Sequence, residues 1–170
     1  MNKRQWRVNT TQAVAMTLVV VIAAAMFLTV SCQRKPLQTH AGFVHLPTEG
    51  WQRLMPLTFM PEYDDSAAYY DITLAVRHTA SYRYRNLSLV VDVIAADSTV
   101  DRHNIEMSLA DEYGNWSGGG FGTLYQAVKP ILKGVQPHQA RTVVVWQAMN
   151  GIDTLKNLEN LGLIARPVNR

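Results

Sequence analysis

Apolar and polar side chains alternate in several segments of the middle of the chain. In the first segment Tyr70, Ile72, Leu74 and Val76 alternate with Asp71, Thr73, Ala75 and Arg77. The same period of two returns in Leu87 to Val93 and in Asn104 to Ala110. Successive side chains of a strand point to opposite faces of a sheet, so this pattern predicts strands that are buried on one face.

The last part of the chain adds further elements. Thr142 to Met149 is apolar on both faces, which predicts a central strand that is covered on both sides. Gly151 to Asn160 is expected to form a turn with a short helical piece, and Leu161 to Ala165 a final strand. With frequent turns, and with no long amphipathic helix after residue 31, the sequence predicts an all-β fold, an antiparallel β-sandwich of the Ig-like or jelly-roll-like kind.

The N-terminal part has a different pattern. Lys3, Arg4 and Arg7 precede an uncharged apolar run from Ala13 to Ser31. Basic residues, an apolar core and a small residue at the end are the layout of a secretory signal. About 18 apolar residues can also span a bilayer, so an uncleaved anchor helix is the alternative. Either interpretation places the rest of the chain beyond the inner membrane.

The residues that close this run favour a lipid anchor. Leu28-Thr29-Val30-Ser31-Cys32 resembles a bacterial lipoprotein box, in which the cysteine receives a diacylglyceryl group before the signal is cut away. We therefore predict a signal peptide over 1–31, a lipidated Cys32 with a short tether over 32–42, and a β-sandwich domain over 43–170. Each buried methylene contributes about 0.8 kcal/mol, so two or three acyl chains, palmitate among them, hold a protein firmly.

Cleavage before Cys32 changes the charge and the redox chemistry of the chain. The full sequence has 16 basic and 13 acidic residues, and the three basic residues of the signal leave 13 of each. A neutral mature chain gives no reason to expect a nucleic-acid partner. Cys32 is also the only cysteine, so its lipidation leaves no thiol for a disulfide, a metal or nucleophilic catalysis.

The order of several short motifs in the mature chain resembles one known family. The motifs are Trp51 followed by Phe59, the run Tyr70 to His78 continuing to Tyr82 and Asn86-Leu87, Leu109-Ala110-Asp111 before Gly114 to Gly118, Gln147-Ala148-Met149, and Leu161-Gly162-Leu163. Together they resemble the gliding-motility lipoproteins of the GldH type from Bacteroidetes. The resemblance implies an envelope lipoprotein associated with gliding and adhesin export, without enzymatic activity. Family members also occur in non-motile species.

Residues that could carry chemistry lack the spacing that chemistry requires. The five histidines have no metal-ligand spacing, and Ser117 has no nucleophile-elbow pattern. Gly118 to Gly120 lack the lysine and the helix start of a phosphate loop. Asp64, Asp65 and Asp71 lack the spacing of a calcium loop. We therefore expect no catalytic residue, no metal site and no cofactor apart from the lipid on Cys32.

One arginine- and tyrosine-rich stretch is a candidate partner contact. It consists of Arg77, Tyr82, Arg83, Tyr84 and Arg85. Arginine and tyrosine are enriched where proteins recognise partners, so we expect contact with another envelope protein or with an anionic lipid or glycan group. Solvated strand ends with snorkelling arginines are the alternative.

Three short motifs resemble the O-glycosylation sites of exported Bacteroidetes proteins. Each has an aspartate, then a hydroxyl residue, then a small or apolar residue; the acceptors are Ser66, Ser98 and Thr154. All three are expected to lie in loops.

Three classes of function remain open. The first is an accessory lipoprotein of the gliding and secretion apparatus, with other envelope, motility or secretion proteins as partners. The second is a periplasmic glycan-binding sandwich in which Trp and Tyr stack on sugars. The third, a hydrolase, lacks any paired carboxylates or triad spacing. An acidic cluster just after the lipidated cysteine would resemble the surface-export signal of Bacteroidetes lipoproteins. This chain has Gln33, Arg34 and Lys35 there instead, so we expect an outer-membrane lipoprotein that faces the periplasm.

Overall fold

The computed structural model describes residues 37–64 and 67–168. They form eleven strands and one 3₁₀ turn, with every strand pairing antiparallel. The strands are β1 (His40–His45), β2 (Trp51–Gln52), β3 (Leu57–Phe59), β4 (Tyr69–Thr79), β5 (Asn86–Ile94), β6 (Val100–Ser108), β7 (Gly119–Phe121), β8 (Leu124–Val135), β9 (Thr142–Gln147), β10 (Thr154–Leu155) and β11 (Leu158–Val168). The turn spans Pro137–Gln139.

Two sheets pack face to face. One sheet has the order β1-β11-β4-β8-β7, and the other has the order β3-β9-β5-β6. A small ribbon of β10 and β2 lies apart from both sheets in the strand pairing. The predicted antiparallel β-sandwich is therefore confirmed.

The core lies between the sheets and follows the alternation of the sequence. On β4 the inward residues are Tyr70, Ile72, Leu74 and Val76, each fully buried. On β5 Leu87, Leu89, Val91 and Val93 are buried in the same way. Each fully buried aliphatic side chain of this size contributes about 1.5–3 kcal/mol relative to exposure, so the strand pattern itself specifies which faces meet.

The sandwich has two distinct ends. We call the end at which β1 begins the base, and the opposite end the loop end. His40 pairs with Ala165 at the base, whereas His45 pairs with Asn160 near the loop end. β4 runs in the same direction as β1, and β5 and β8 run back towards the base. The connections over residues 46–56, 80–85, 109–118 and 148–157 therefore gather at the loop end.

The segment from Gly151 to Asn160 differs from its prediction. The helical piece predicted there is wrong, because Thr154–Leu155 pair with β2 and β11 already begins at Leu158. Ile152, Leu155 and Leu158 have a three-residue spacing that imitates a helix face. Asn157 has φ 66°, a left-handed conformation that a helix does not continue through. The strand predicted over Leu161 to Ala165 is correspondingly longer.

β1 also begins earlier than expected. His40 to Gly42 fall within the range predicted as the tether, yet they pair with Leu163 to Ala165 of β11. Their alternation is weak in the sequence because Ala41 and Gly42 are small, so the pairing with β11 decides their conformation. Cys32 and the rest of the predicted signal and tether up to residue 36 lie outside the described residues.

Candidate functional site

The five residues predicted to contact a partner occupy four different environments. Tyr82 to Arg85 lie in the β4–β5 connection at the loop end, whereas Arg77 lies on the outer face of β4. The structure brings two of them, Arg83 and Tyr84, together with Thr154 in one surface hollow. It gives the other three roles within the fold.

Tyr82 is a core residue. Its side chain is 3% exposed, and its hydroxyl donates a hydrogen bond to Asn86 O at 3.2 Å. Burial raises the pKa of its phenol well above the ordinary range, with a smaller contribution from Tyr84. The ring of Tyr84 packs edge-on against Tyr82, with 5.6 Å between the centroids. Tyr82 therefore packs beneath the β4–β5 connection, and its side chain is not accessible to a partner.

Arg77 stabilises the outer face of the five-stranded sheet. Its Cζ lies 4.0 Å from the ring centroid of Phe43, a cation–π distance. Its Nε donates to Gln126 Oε1 at 2.8 Å. The guanidinium thereby connects β1, β4 and β8 across the sheet.

Arg85 fixes the connection that follows β6. Its Nη1 donates to Glu112 O at 3.1 Å, and its own carbonyl accepts from Leu109 N at 2.7 Å and Ala110 N at 3.0 Å. Asp111 completes this loop by accepting hydrogen bonds from Asn115, whose side chain is the main reason that the pKa of Asp111 is lowered. Arg85 is therefore occupied with local backbone.

Arg83 and Tyr84 line a hollow of about 390 Å³ with three residues from the β10–β11 region. The three are Thr154, Lys156 and Asn157, all exposed. Arg83 is exposed and Tyr84 is half-buried. The hollow thus joins two of the predicted contact residues and one predicted glycosylation site to Lys156 and Asn157, which the sequence did not single out.

A group of aromatic side chains lies beneath the loop end around His78. The imidazole of His78 is fully buried; its ring centroid is 4.6 Å from that of Trp116 and 5.7 Å from that of Tyr125. Its Nδ1 lies 3.0 Å from Thr79 O, and its Nε2 has no hydrogen-bond partner among the described residues. Burial lowers the pKa of His78, so the ring is neutral near pH 7. The environment is that of a packed core histidine.

An exposed apolar loop at the same end was missed by the sequence analysis. Leu54 and Met55, between β2 and β3, are 88% and 52% exposed. The loop is held because Trp51 Nε1 donates to Met55 O at 2.7 Å and Arg53 donates to Ile152 O at 2.9 Å and also to Met149 O. The available signal was two large apolar residues between Arg53 and Pro56 that fit neither strand alternation nor a helical period.

The predicted glycosylation acceptors have different positions. Ser98 is exposed in the β5–β6 turn at the base, with φ 66°. The loop predicted around Thr154 is wrong, because Thr154 lies on β10 and pairs with Gln52. Thr154 is exposed at the loop end, where its methyl group lies near Gly50. Ser66 lies outside the described residues. Glycosylation at these positions stays a prediction.

Within residues 37–64 and 67–168 we find no group of three or more histidine, aspartate or glutamate side chains that could hold a metal ion. Over the same ranges, no helix is long and apolar enough to cross a membrane.

Comparison with known proteins gives one consistent family. The sequence profile of the family described as GldH lipoprotein matches residues 39–164. A protein from Christiangramia forsetii, described as a gliding motility lipoprotein GldH homolog, is 26% identical over 136 residues, which cover 77% of this chain and 82% of that protein. The matched region contains nearly the whole sandwich, from the residue before β1 to the middle of β11.

Two viral proteins are among the similar solved structures. The coat protein of tobacco streak virus is 11% identical and covers 81% of this chain and 93% of its own, with a TM-score of 0.30. The VP2 subviral particle of infectious bursal disease virus is 12% identical, and the match covers 76% of this chain and 33% of the viral chain. Its TM-score is also 0.30. Likenesses this distant carry no argument about function.

Proposed function

The chain belongs to the GldH lipoprotein family, and from that premise we propose that it is a non-enzymatic accessory component of the gliding and adhesin-export machinery. The family match over residues 39–164 is the observation that carries this proposal. As a member of a lipoprotein family, the protein is a membrane-associated component of the cell envelope. Anchoring through a lipid on Cys32, in the outer membrane and facing the periplasm, is the finer part of the proposal.

The state of the buried polar groups supports a non-enzymatic role. Asp92, which is 6% exposed, is held by Arg102 in two hydrogen bonds of 2.6 Å. His78 is enclosed by aromatic rings, and its Nδ1 is engaged by a carbonyl. Both groups are occupied by contacts that stabilise the fold. General acid or base catalysis needs a group that can reach a substrate, which neither does here.

The loop end is the surface that we propose for protein partners. Contiguous exposed apolar surface marks interaction sites, and Leu54 and Met55 are adjacent exposed apolar residues at this end. Arg83 and Tyr84 lie at the same end and belong to the residue types enriched at interfaces. The connections gathered there are held by Arg53 and Arg85, so docking would require little rearrangement.

The glycan-binding alternative finds less support. Sugar stacking needs exposed and nearly coplanar aromatic rings, but Trp116 is tilted by 42° to Tyr125 and by 49° to Tyr82. Tyr82 is also buried. The aromatic group accordingly reads as part of the core at the loop end.

Deletion of the gene in the native host tests the proposed role. We expect lower amounts of adhesin-type proteins at the cell surface, restored by the wild type but not by Cys32→Ala or by Leu54→Glu with Met55→Glu. Val128→Glu, a change at an exposed apolar residue on β8 and outside that loop, should restore export. Unchanged surface levels in the deletion strain would exclude the accessory role.

Accessibility in intact cells tests the orientation. A periplasm-facing domain should resist added protease until the outer membrane is permeabilised. Cleavage in intact cells would show that the domain faces outward, while leaving the question of export to the deletion strain.

A further inference from the structure

The hollow at the loop end carries positive charge that no carboxylate neutralises among the residues that the structure describes. Arg83 and Lys156 line it, and neither makes an ion pair with another described residue. Arg53, Arg102 and Arg166, by contrast, each contact an aspartate. No acidic side chain is among the residues that line the hollow.

Two cationic residues that line one concave surface favour an anionic ligand. Opposite charges attract, and the attraction is larger beside protein atoms than in bulk water because the local dielectric constant is lower. An anion bound in the hollow would be attracted to both Arg83 and Lys156. The arrangement therefore favours a negatively charged ligand over a neutral one.

The walls of the hollow are fixed by hydrogen bonds of the fold. Asn157 Nδ2 donates to Ser81 O at 3.0 Å, and Asn157 O accepts from Thr79 N at 3.1 Å. These bonds join the β10–β11 connection, which carries Lys156, to the β4–β5 connection, which carries Arg83. A site that is already organised loses less conformational entropy when a ligand binds.

The residues that line the hollow carry many hydrogen-bond donors. Arg83 offers a planar fork of N–H groups, Lys156 an ammonium group, and Tyr84 and Thr154 hydroxyl groups. The charged oxygens of a phosphate group accept hydrogen bonds, and two of them can bind one arginine side chain in a bidentate manner. We propose that this hollow binds a phosphate group, carried by a lipid head group or by a phosphorylated glycan. This inference rests on the proposed function for its place in the envelope, whereas phosphate binding itself can be measured on the isolated protein.

Titration of the mature lipidated chain in neutral detergent tests the proposal. We expect inorganic phosphate to shift the amide resonances of Arg83, Tyr84 and Thr154 to Asn157 saturably, at constant ionic strength. Arg83→Gln with Lys156→Gln should weaken binding at least about 10-fold, which corresponds to about 1.4 kcal/mol.

A matched control separates a site from general surface charge. Lys129 and Arg141 are exposed, and neither makes an ion pair in the part of the chain that the structure describes. Lys129→Gln with Arg141→Gln removes the same charge and should leave phosphate binding unchanged. Equal weakening by both pairs, or no saturable shift with the wild type, would overturn the proposal.

Two further probes identify the source of the phosphate. With the lipidated chain anchored in phosphatidylcholine nanodiscs, shifts of the Arg83 and Lys156 amide resonances that appear only when phosphatidylglycerol is included would assign a lipid head group. Tighter binding of glucose 6-phosphate than of inorganic phosphate would assign a glycan. Failure of phosphate to bind would leave the proposed role in export standing, because the deletion experiment tests that role separately.

Discussion

The ring of Phe43 lies directly over Gly162 on the outer face of the five-stranded sheet. The two residues pair across β1 and β11, and a Cβ atom on residue 162 would come within 2.4 Å of the Phe43 ring. The guanidinium of Arg77 covers the ring, at 4.0 Å from its centroid. The absence of a side chain at residue 162 thus allows the edge strand β1 to be held by Phe43.

Gly162→Ala should destabilise the protein by about 1–3 kcal/mol, because the methyl group must displace the ring. Urea unfolding followed by circular dichroism measures this free energy. Gly42→Ala is the matched control, since it lies beside Phe43 in β1 with open space around its Cβ position. Equal effects of the two substitutions would contradict the contact. In a Phe43→Ala background the cost of Gly162→Ala should largely disappear.

Gly118→Ala should destabilise the β7–β8 region. Gly118 has φ 90°, and a Cβ atom there would lie 1.9 Å from Gln126 O, a backbone atom that cannot turn aside. A strained backbone position of this kind costs about 1–3 kcal/mol. Urea unfolding should show the loss, and amide hydrogen exchange in β7 and β8 should become faster beside the substitution. Gly119→Ala has open space and should leave both unchanged.

Asp92→Asn should reduce stability at neutral pH by removing a paired carboxylate. The hydrogen bonds from Arg102 lower the pKa of Asp92 in the folded protein. Its contribution is therefore complete above about pH 4, the ordinary value of the unfolded chain, and is lost as the pH falls through the lower folded pKa. Unfolding free energies measured at pH 7 and pH 3 should show a difference between wild type and Asp92→Asn that shrinks in acid.

A second variant tests whether the burial of Asp92 makes its ion pair with Arg102 important for stability. Arg102→Gln leaves a buried carboxylate without its cation and should destabilise more than Asp92→Asn with Arg102→Gln, which removes both charges. If Arg102→Gln alone were the milder change, Asp92 would have to be better solvated than its 6% exposure indicates.

His78 should make the protein less stable in mild acid. Burial lowers its folded pKa below the ordinary value of about 6.5, so the unfolded chain binds the proton more readily. The unfolding free energy should be steady above about pH 7 and should decrease as the pH falls below 6.5 towards the folded pKa. Its ring contacts the rings of Tyr82, Trp116 and Tyr125, none of which supplies a compensating negative charge in this pH range.

His78→Phe should remove this part of the pH dependence, because phenylalanine fits the aromatic group without a titrating nitrogen. His45→Gln, at an exposed histidine of β1, should retain it. A decrease in stability below pH 6.5 that survives in His78→Phe would assign the effect to another group. Thermal unfolding at several pH values distinguishes these outcomes.

The long strands could be predicted from the sequence because burial on one face imposes a period of two. The predicted inward residues of β4 and β5 are all buried, but Ala75 and Asp92, which the alternation assigns to the opposite faces, are buried as well. Elements without such a pattern could not be found in this way. β2 and β10 have two residues each, and their conformation depends on pairing between segments about a hundred positions apart.

The candidate site was only partly predictable for a related reason. The sequence alone identifies Arg83 and Tyr84, because they are neighbours and belong to residue types that are enriched at interfaces. Lys156 reaches the same hollow only because β10 and the left-handed Asn157 bring a distant loop beside them. Local sequence also gives no means of knowing that Tyr82 turns inward while Arg83 turns outward, since loop residues follow no fixed period.

The pairing of β11 has a practical consequence. Its last residues, Pro167 and Val168, pair with Tyr70 and Tyr69 at the base, where β1 also begins. The first strand of the described domain therefore begins, and the last strand ends, on the same side. A fluorescent protein or affinity tag joined after residue 170 would extend from the base and leave the opposite side free. Fusions of this kind are suited to following the protein in living cells while its loops remain available to other molecules.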